Sequence, residues 1–208
     1  GTGTIAREVA GNKRKQIGEQ KALATVWASD KYSFPLQTAN IGMASLETIN
    51  HPIRLFKHNA LNLNVGEQIS LNDPVTGNKL AAQLPSFGAV VSNLPFVAFE
   101  RISEDDRLLL EQYENRWNLS ARSDLSFYIA LKLADLIRPG GRAGIILSNS
   151  WMGTRAGRRF LQELQTVFTI EQIHVSGKGR WFQNADVVTT ILVLRREQQN
   201  KAESVRLF

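Results

Sequence analysis

The order of elements that the sequence predicts is that of an α/β chain: a mostly parallel sheet with helices on both faces, closed by one antiparallel hairpin. Three observations lead there. Short apolar runs alternate with helix-like stretches along most of the 208 residues. Phe87 to Val91 and Ala143 to Leu147 are unbroken apolar runs, as expected of strands covered on both faces. At the end, two strands follow one another, Ile170 to Val175 and Val187 to Leu194, with no helix between them.

In chain order, Gly1-Thr2-Gly3-Thr4 leads into a helical run from Ile5 onward, and Thr25 to Ala28 reads as a short strand. Phe34 to Ile49 reads as a helix, since Pro35 is acceptable in a first turn. Ile53 to Phe56 is a strand, and residues 62 to 86, rich in Asn, Asp, Gly and Pro, read as a long loop or insertion. Ser103 to Trp117 is a charged helix. Leu125, Ile129, Leu133, Leu136 and Ile137 form one helical stripe, with Ser123 as N-cap and Pro139-Gly140-Gly141 as the stop. Thr154 to Val167 is a further helix.

Composition narrows the chemistry. With no cysteine, disulfides, thiolate zinc sites and cysteine nucleophiles are excluded. His51, His58 and His174 lack metal-ligand spacing and read as structural. No apolar run approaches the roughly 20 residues of a membrane helix, and the N-terminal residues lack a signal peptide's apolar core. A cytoplasmic location is therefore expected. The net charge of +6 favours a polyanionic partner, with basic clusters at Lys13-Arg14-Lys15 and at Arg155, Arg158 and Arg159.

In such sheets ligands bind at the carboxyl ends of the strands. The residues to question are therefore Gly1 to Gly3, Ala28 to Asp30, His58-Asn59 and Ser92 to Phe96. The last of these carries the most chemistry. Asn93 has an amide oxygen that accepts a hydrogen bond, the main-chain carbonyl of Leu94 is a second acceptor, and Phe96 offers a flat face on which a base can stack. Two acceptors aimed at an exocyclic amine turn its lone pair toward an electrophile. The same residues also make an ordinary turn, where Asn and Pro are common. The loop Lys178 to Trp181 offers cations for phosphate and an indole for stacking, the latter equally suited to packing.

Here the sequence resembles the N6-adenine DNA methyltransferases of restriction-modification systems, whose signature after the fourth strand is Asn-Pro-Pro-aromatic. Asn93-Leu94-Pro95-Phe96 matches it with Leu in place of the first Pro; the carbonyl is kept, and the fixed φ of proline is not. Asp124-Leu125-Ser126-Phe127-Tyr128 looks like the family's Asp-Leu-Tyr helix start. Arg138-Pro139-Gly140-Gly141 through Trp151 resembles its Lys-Pro-Gly-Gly strand entry, and Ile173, Phe182, Ala185, Val187 and Thr190 to Leu194 its closing hairpin. The match runs in register from Gly1 to about Arg195, and its tail most resembles the type I and type IIG enzymes.

The resemblance implies a class I S-adenosylmethionine-dependent methyltransferase fold, Rossmann-like, with S-adenosyl-L-methionine as cofactor and no metal. It implies that Gly1, Thr2 and Gly3 end the cofactor's glycine loop. The acid that binds the cofactor ribose falls, by counting back from Asn40, at Ala28, with Asp30 two positions on; Asn59 stands where the family has the Asp that meets the cofactor's adenine. Residues 1–208 are then one catalytic domain lacking its first strand and any target-recognition domain. The implied activity is methyl transfer to the N6 amine of a flipped-out adenine in double-stranded DNA, with a specificity subunit or recognition domain and a restriction component as partners. Two other readings use the same residues: a protein-glutamine or RNA methyltransferase, and a degenerate, non-catalytic DNA-binding module that Ala28 and Leu94 would suit. A nicotinamide-dependent Rossmann enzyme has no use for Asn93 to Phe96.

If Lys178 and Arg180 meet phosphates, replacing both with Ala weakens DNA binding about equally on all sequences and flattens its salt dependence. Titration of labelled duplexes across a salt series measures this.

Overall fold

The computed structural model describes residues 3–46, 49–113, 115–120, 122–176, 188–197 and 206–207. The chain divides into two compact units, Gly1–Pro85 and Ser86–Phe208.

In the first unit, helices α1 (Thr4–Ile17) and α2 (Glu19–Thr25) are separated by Gly18, at φ 80° and ψ 164°. That combination is open essentially to glycine alone, so the chain breaks its helix there. Strand β1 (Trp27–Asp30) runs parallel to β2 (Arg54–Lys57), and helix α3 (Ser33–Met43) supplies the crossover that a parallel pair requires. Ala10, Leu23, Val26 and Met43 form the buried cluster, with Ala6, Val9, Ile53 and Leu55 packed around it.

Two expectations shift here. Thr25 closes α2 rather than opening a strand, and α3 ends at Met43, six residues short of Ile49. A third is overturned, because the expected loop over 62 to 86 holds an antiparallel hairpin, β3 (Gln68–Asn72) and β4 (Lys79–Gln83). In β3, Ile69 and Leu71 alternate inward, whereas β4 is nearly all exposed and carries almost no alternation to read. The turn is visible in retrospect. Asp73 accepts from the backbone N–H of Val75 (2.9 Å) and the Thr76 hydroxyl (2.7 Å), and Gly77 takes φ 71°.

The second unit is a five-stranded sheet in the order β5-β6-β8-β7-β9, with β5 Phe87–Asn93, β6 Ile137–Ser148, β7 Phe168–Val175, β8 Thr189–Arg196 and β9 Arg206–Leu207. β5 and β6 are parallel. β8 inserts between β6 and β7, antiparallel to both, which is the closing hairpin foreseen from sequence. β5 is not covered on both sides: Ala89 and Val91, alternate residues and so on one face, are exposed.

Helices α4 (Glu104–Glu111), α5 (Leu125–Lys132) and α6 (Arg155–Val167) flank the strands. α4 is capped by Ser103, which accepts from the Asp106 N–H at 3.3 Å, and it ends well before Trp117. α5 is buried all round rather than on one stripe, and Phe127 stacks on Phe160 of α6 at 4.3 Å. Asp124, not Ser123, is its N-cap. Pro139-Gly140-Gly141 does not stop a helix; it forms a bulge inside β6, where the register with β5 slips between Phe87 and Ala89. Gly140 takes φ 77°, and a Cβ on Gly141 would press on the carbonyl oxygens of Arg138 and Gly88 at 2.9 Å.

At the end of α5, Lys132 is 3% exposed. Its ammonium meets Asp135 at 3.0 Å, and Arg116 grips the same carboxylate in a two-toothed pair, one contact being 2.7 Å. Burial pushes the Asp135 carboxyl up, but the hydrogen bonds and charges of Arg116 and Lys132 outweigh it and hold the group below its ordinary 3.8. With the folded-state value depressed, the stabilisation is complete above that ordinary value and is lost as pH falls through the folded-state one. Asp135→Ala removes the carboxylate that both Lys132 and Arg116 contact, so it is expected to destabilise the protein by about 3 kcal/mol at neutral pH. Urea titration should show that gap from wild type closing in acid.

Candidate functional site

The carboxyl edge of the β1–β2 pair collects two of the expected cofactor residues. β1 runs through to Asp30, in register with Lys57, and the His58 N–H donates to the Asp30 carbonyl at 3.0 Å. Ala28 therefore lies mid-strand opposite Leu55, and the strand ends on an acid after all, two residues beyond the counted position. The Asp30 carboxylate accepts from the Tyr32 N–H at 2.9 Å, which holds it at the turn into α3. Asn59 opens a short 3₁₀ turn (Ala60–Asn62), its amide oxygen accepting from the Leu61 N–H at 3.1 Å. Its other polar group is the NH₂, a donor. His58 is held between the Asn59 carbonyl (3.0 Å) and Glu67 (2.8 Å), a structural position.

Gly3 belongs to the first unit as well. It is the N-cap of α1 at φ 83°, and a Cβ there would run into Ala39 of α3. The close approach of two helices accounts for this glycine without any ligand. Gly3 also lines a shallow recess with Thr4, Arg7, Thr38 and Gly42. Gly1 and Thr2 lie outside the described residues, as do Lys178, Arg180 and Trp181.

The second unit holds the Asn93 turn at the carboxyl end of β5. Asn93 is the last strand residue, in register with Ile146, and its side chain is exposed. Among the described residues neither its amide nor the Leu94 carbonyl has a hydrogen-bond partner. Pro95 is exposed and Phe96 half-buried. The turn is pinned at both ends: the Leu94 N–H donates to the Ile146 carbonyl of β6 at 2.9 Å, and the Leu125 N–H at the start of α5 donates to the Val97 carbonyl at 3.1 Å. The Asn93 amide is thus presented to solvent beside the buried Leu94, on a backbone that is held on either side.

Sequence reading missed what surrounds this turn. Ser150 donates to Asp124 at 3.0 Å and lies 2.6 Å from the Ser148 hydroxyl. Trp151 donates through its indole to Thr190 at 2.9 Å. Asp124 and Ser148 to Trp151 were legible as resemblance segments, but their pairing spans 26 residues and has no local signal.

The family model described as Eco57I restriction-modification methylase matches residues 20–182 of the 208. No match was found among curated proteins. Three solved structures are similar. One is a Listeria monocytogenes protein described as a class I S-adenosylmethionine-dependent methyltransferase (TM-score 0.67, 16% identity, covering 100% of this chain and 55% of that one). Another is the ATP-dependent type ISP restriction-modification enzyme LlaBIII bound to DNA (TM-score 0.65, 17% identity, 100% and 17%). The third is the EcoKI M protein of a type I restriction enzyme (TM-score 0.59, 13% identity, 94% and 38%). At these identities the likeness is one of fold, that of the class I methyltransferases. The chain spans 55% or less of the length of each of the three.

Leu94 stands where the family has a proline, and both its N–H and its side chain are engaged. Restoring the family's proline looks stiffening from sequence, yet Leu94 donates its N–H to Ile146 and is 2% exposed. Leu94→Pro deletes that bond, worth about 0.5–1.5 kcal/mol, and empties part of a buried site. It is expected to lower Tm by several degrees and to reduce methyl transfer, as thermal melts and methyl incorporation would record.

Proposed function

This chain belongs to the Eco57I restriction-modification methylase family, and we propose that it transfers a methyl group to the exocyclic N6 amine of a flipped-out adenine in DNA. The observation that carries the reading is the Asn93 turn, whose two acceptors, unengaged among the described residues, stand at a strand's carboxyl end on a backbone pinned from two elements.

S-adenosylmethionine, the cofactor of this fold and family, supplies an electrophilic methyl group when bound. The first unit has groups that suit it. Asp30 ends its strand with a carboxylate, the acceptor a ribose diol asks for, and Asn59 brings an amide donor for a base edge. In the second unit, the Asn93 oxygen and the Leu94 carbonyl accept the two protons of the target amine, so that its lone pair is left to face the electrophilic methyl group. Phe96 stacks on the extruded base, a contact worth about 1–3 kcal/mol. The protein's own task is positioning and exclusion of water. An adenine inside a duplex cannot reach such a turn, so it must leave the stack first.

The basic balance of the chain, +6, suits phosphate contacts. Two of the similar structures belong to restriction-modification systems, one of them bound to DNA. By that analogy the partners are double-stranded DNA, a specificity subunit or recognition domain, and a restriction component.

Asn93→Ala is expected to cut methyl transfer by about 10²–10³ while leaving cofactor affinity nearly unchanged. Phe96→Ala should raise KM for DNA, and Phe96→Trp should restore part of it. Tritiated methyl incorporation into duplexes by the full-length protein, followed by nucleoside analysis, reads these effects. N6-methyladenine that persists undiminished in Asn93→Ala would remove the turn from the active site; label in protein or in RNA alone would replace DNA as the substrate.

A further inference from the structure

Asp124 is the N-cap of α5, yet its side chain makes no capping hydrogen bond. Aspartate is among the preferred residues for that task, so its carboxylate is engaged elsewhere. It accepts from the Ser150 hydroxyl at 3.0 Å, and Ser150 lies 2.6 Å from the Ser148 hydroxyl. A carboxylate only accepts, which orders the chain: Ser150 gives its proton to Asp124, and its oxygen then receives the proton of Ser148.

These three groups join two elements that also carry the Asn93 turn. Ser148 is the last residue of β6, two beyond Ile146, whose carbonyl holds Leu94. Asp124 immediately precedes Leu125, whose N–H holds Val97. A closed circuit results: β6, the turn from Leu94 to Val97, the start of α5, the Asp124–Ser150–Ser148 chain, and β6 again. The Ser150 side is the firmer one. Trp151 is tied to Thr190 of β8, the Asn149 N–H donates to the Val188 carbonyl, and Gly157 of α6 approaches the Trp151 backbone so closely that a Cβ would collide with it. The hydroxyl chain therefore ties the α5 start to the end of β6, alongside the packing of α5 on α6, and the turn is held between its two pins.

We propose that Asp124, acting through Ser150, is a positioning residue for methyl transfer, one that fixes the direction of the Asn93 and Leu94 acceptors. The inference rests on the reading of that turn as the amine site. It concerns orientation, so it acts on kcat and leaves cofactor binding alone; misplacement of about 1 Å costs on the order of 10² in rate.

The test uses full-length protein and measures kcat, KM for S-adenosylmethionine and Tm for Asp124→Ala, Asp124→Asn, Ser150→Ala, the Asp124→Ala/Ser150→Ala double variant and Asn93→Ala. Asp124→Ala and Ser150→Ala should each lower kcat at least 10-fold, with KM for the cofactor within about two-fold of wild type. The double variant should lose no more than either single one, because the two residues act as one device. Asp124→Asn keeps an oxygen to receive the Ser150 proton and should recover most of kcat. If Asp124→Ala does not fold, Ser150→Ala against wild type carries the same criterion. Wild-type kcat in Asp124→Ala or Ser150→Ala, losses that multiply in the double variant, or no recovery with Asn overturns the proposal. So does a loss of kcat that is matched by loss of cofactor binding. Asn93→Ala separates the two failures: if it stays fully active, the site reading itself is wrong, whereas an inactive Asn93→Ala beside an active Asp124→Ala rejects only the positioning role.

Discussion

Strand β6 is the constraint on which the second unit depends. It is the longest strand among the described residues, Ile137–Ser148, and both its edges are used, β5 on one side in parallel and β8 on the other antiparallel. Ala143, Ile145 and Leu147 are fully buried along one face. A strand held on both edges and one face has little freedom left. Whatever its carboxyl end presents is presented rigidly: the Ile146 carbonyl to Leu94, the Ser148 and Ser150 hydroxyls toward Asp124, and the Trp151 indole to Thr190.

Close backbone approach at two glycines makes this arrangement attainable. Gly141 lets β6 bulge against the carbonyl of Gly88 before it straightens, and Gly157 lets the first turn of α6 lie on the Trp151 backbone. Neither position tolerates a side chain without displacement, and overpacking of such contacts commonly costs about 1–3 kcal/mol. The bulge sits at the start of the strand, away from the site, so register is adjusted there and the carboxyl end is left regular.

The first unit shows the same logic on a smaller scale. Its parallel pair ends on Asp30 and Lys57, and the acid is turned by a hydrogen bond from Tyr32 as the chain enters α3. Two residues of strand length separate Ala28, which has nothing to offer a ligand, from Asp30, which has a carboxylate. Where the strand ends is a property of pairing with β2, not of composition.

What the sequence determined by itself was the kind of fold, the order of most elements, and the residue types that stand together at Asn93 to Phe96. These rest on local patterns: apolar runs, the Asn-Leu-Pro-Phe turn, and segments in family order. Tertiary structure decided the rest. The β3–β4 hairpin was hidden because β4 faces solvent and shows almost no alternation. The Pro-Gly-Gly run looked like a helix stop, and only pairing with β5 made it a bulge. Leu94 looked like a loosened proline until its N–H was found engaged and its side chain buried. The Asp124–Ser150 contact joins residues 26 apart. Hydrogen bonds of that separation are chosen by how strands and helices stack, and no pattern of neighbours along the chain encodes them.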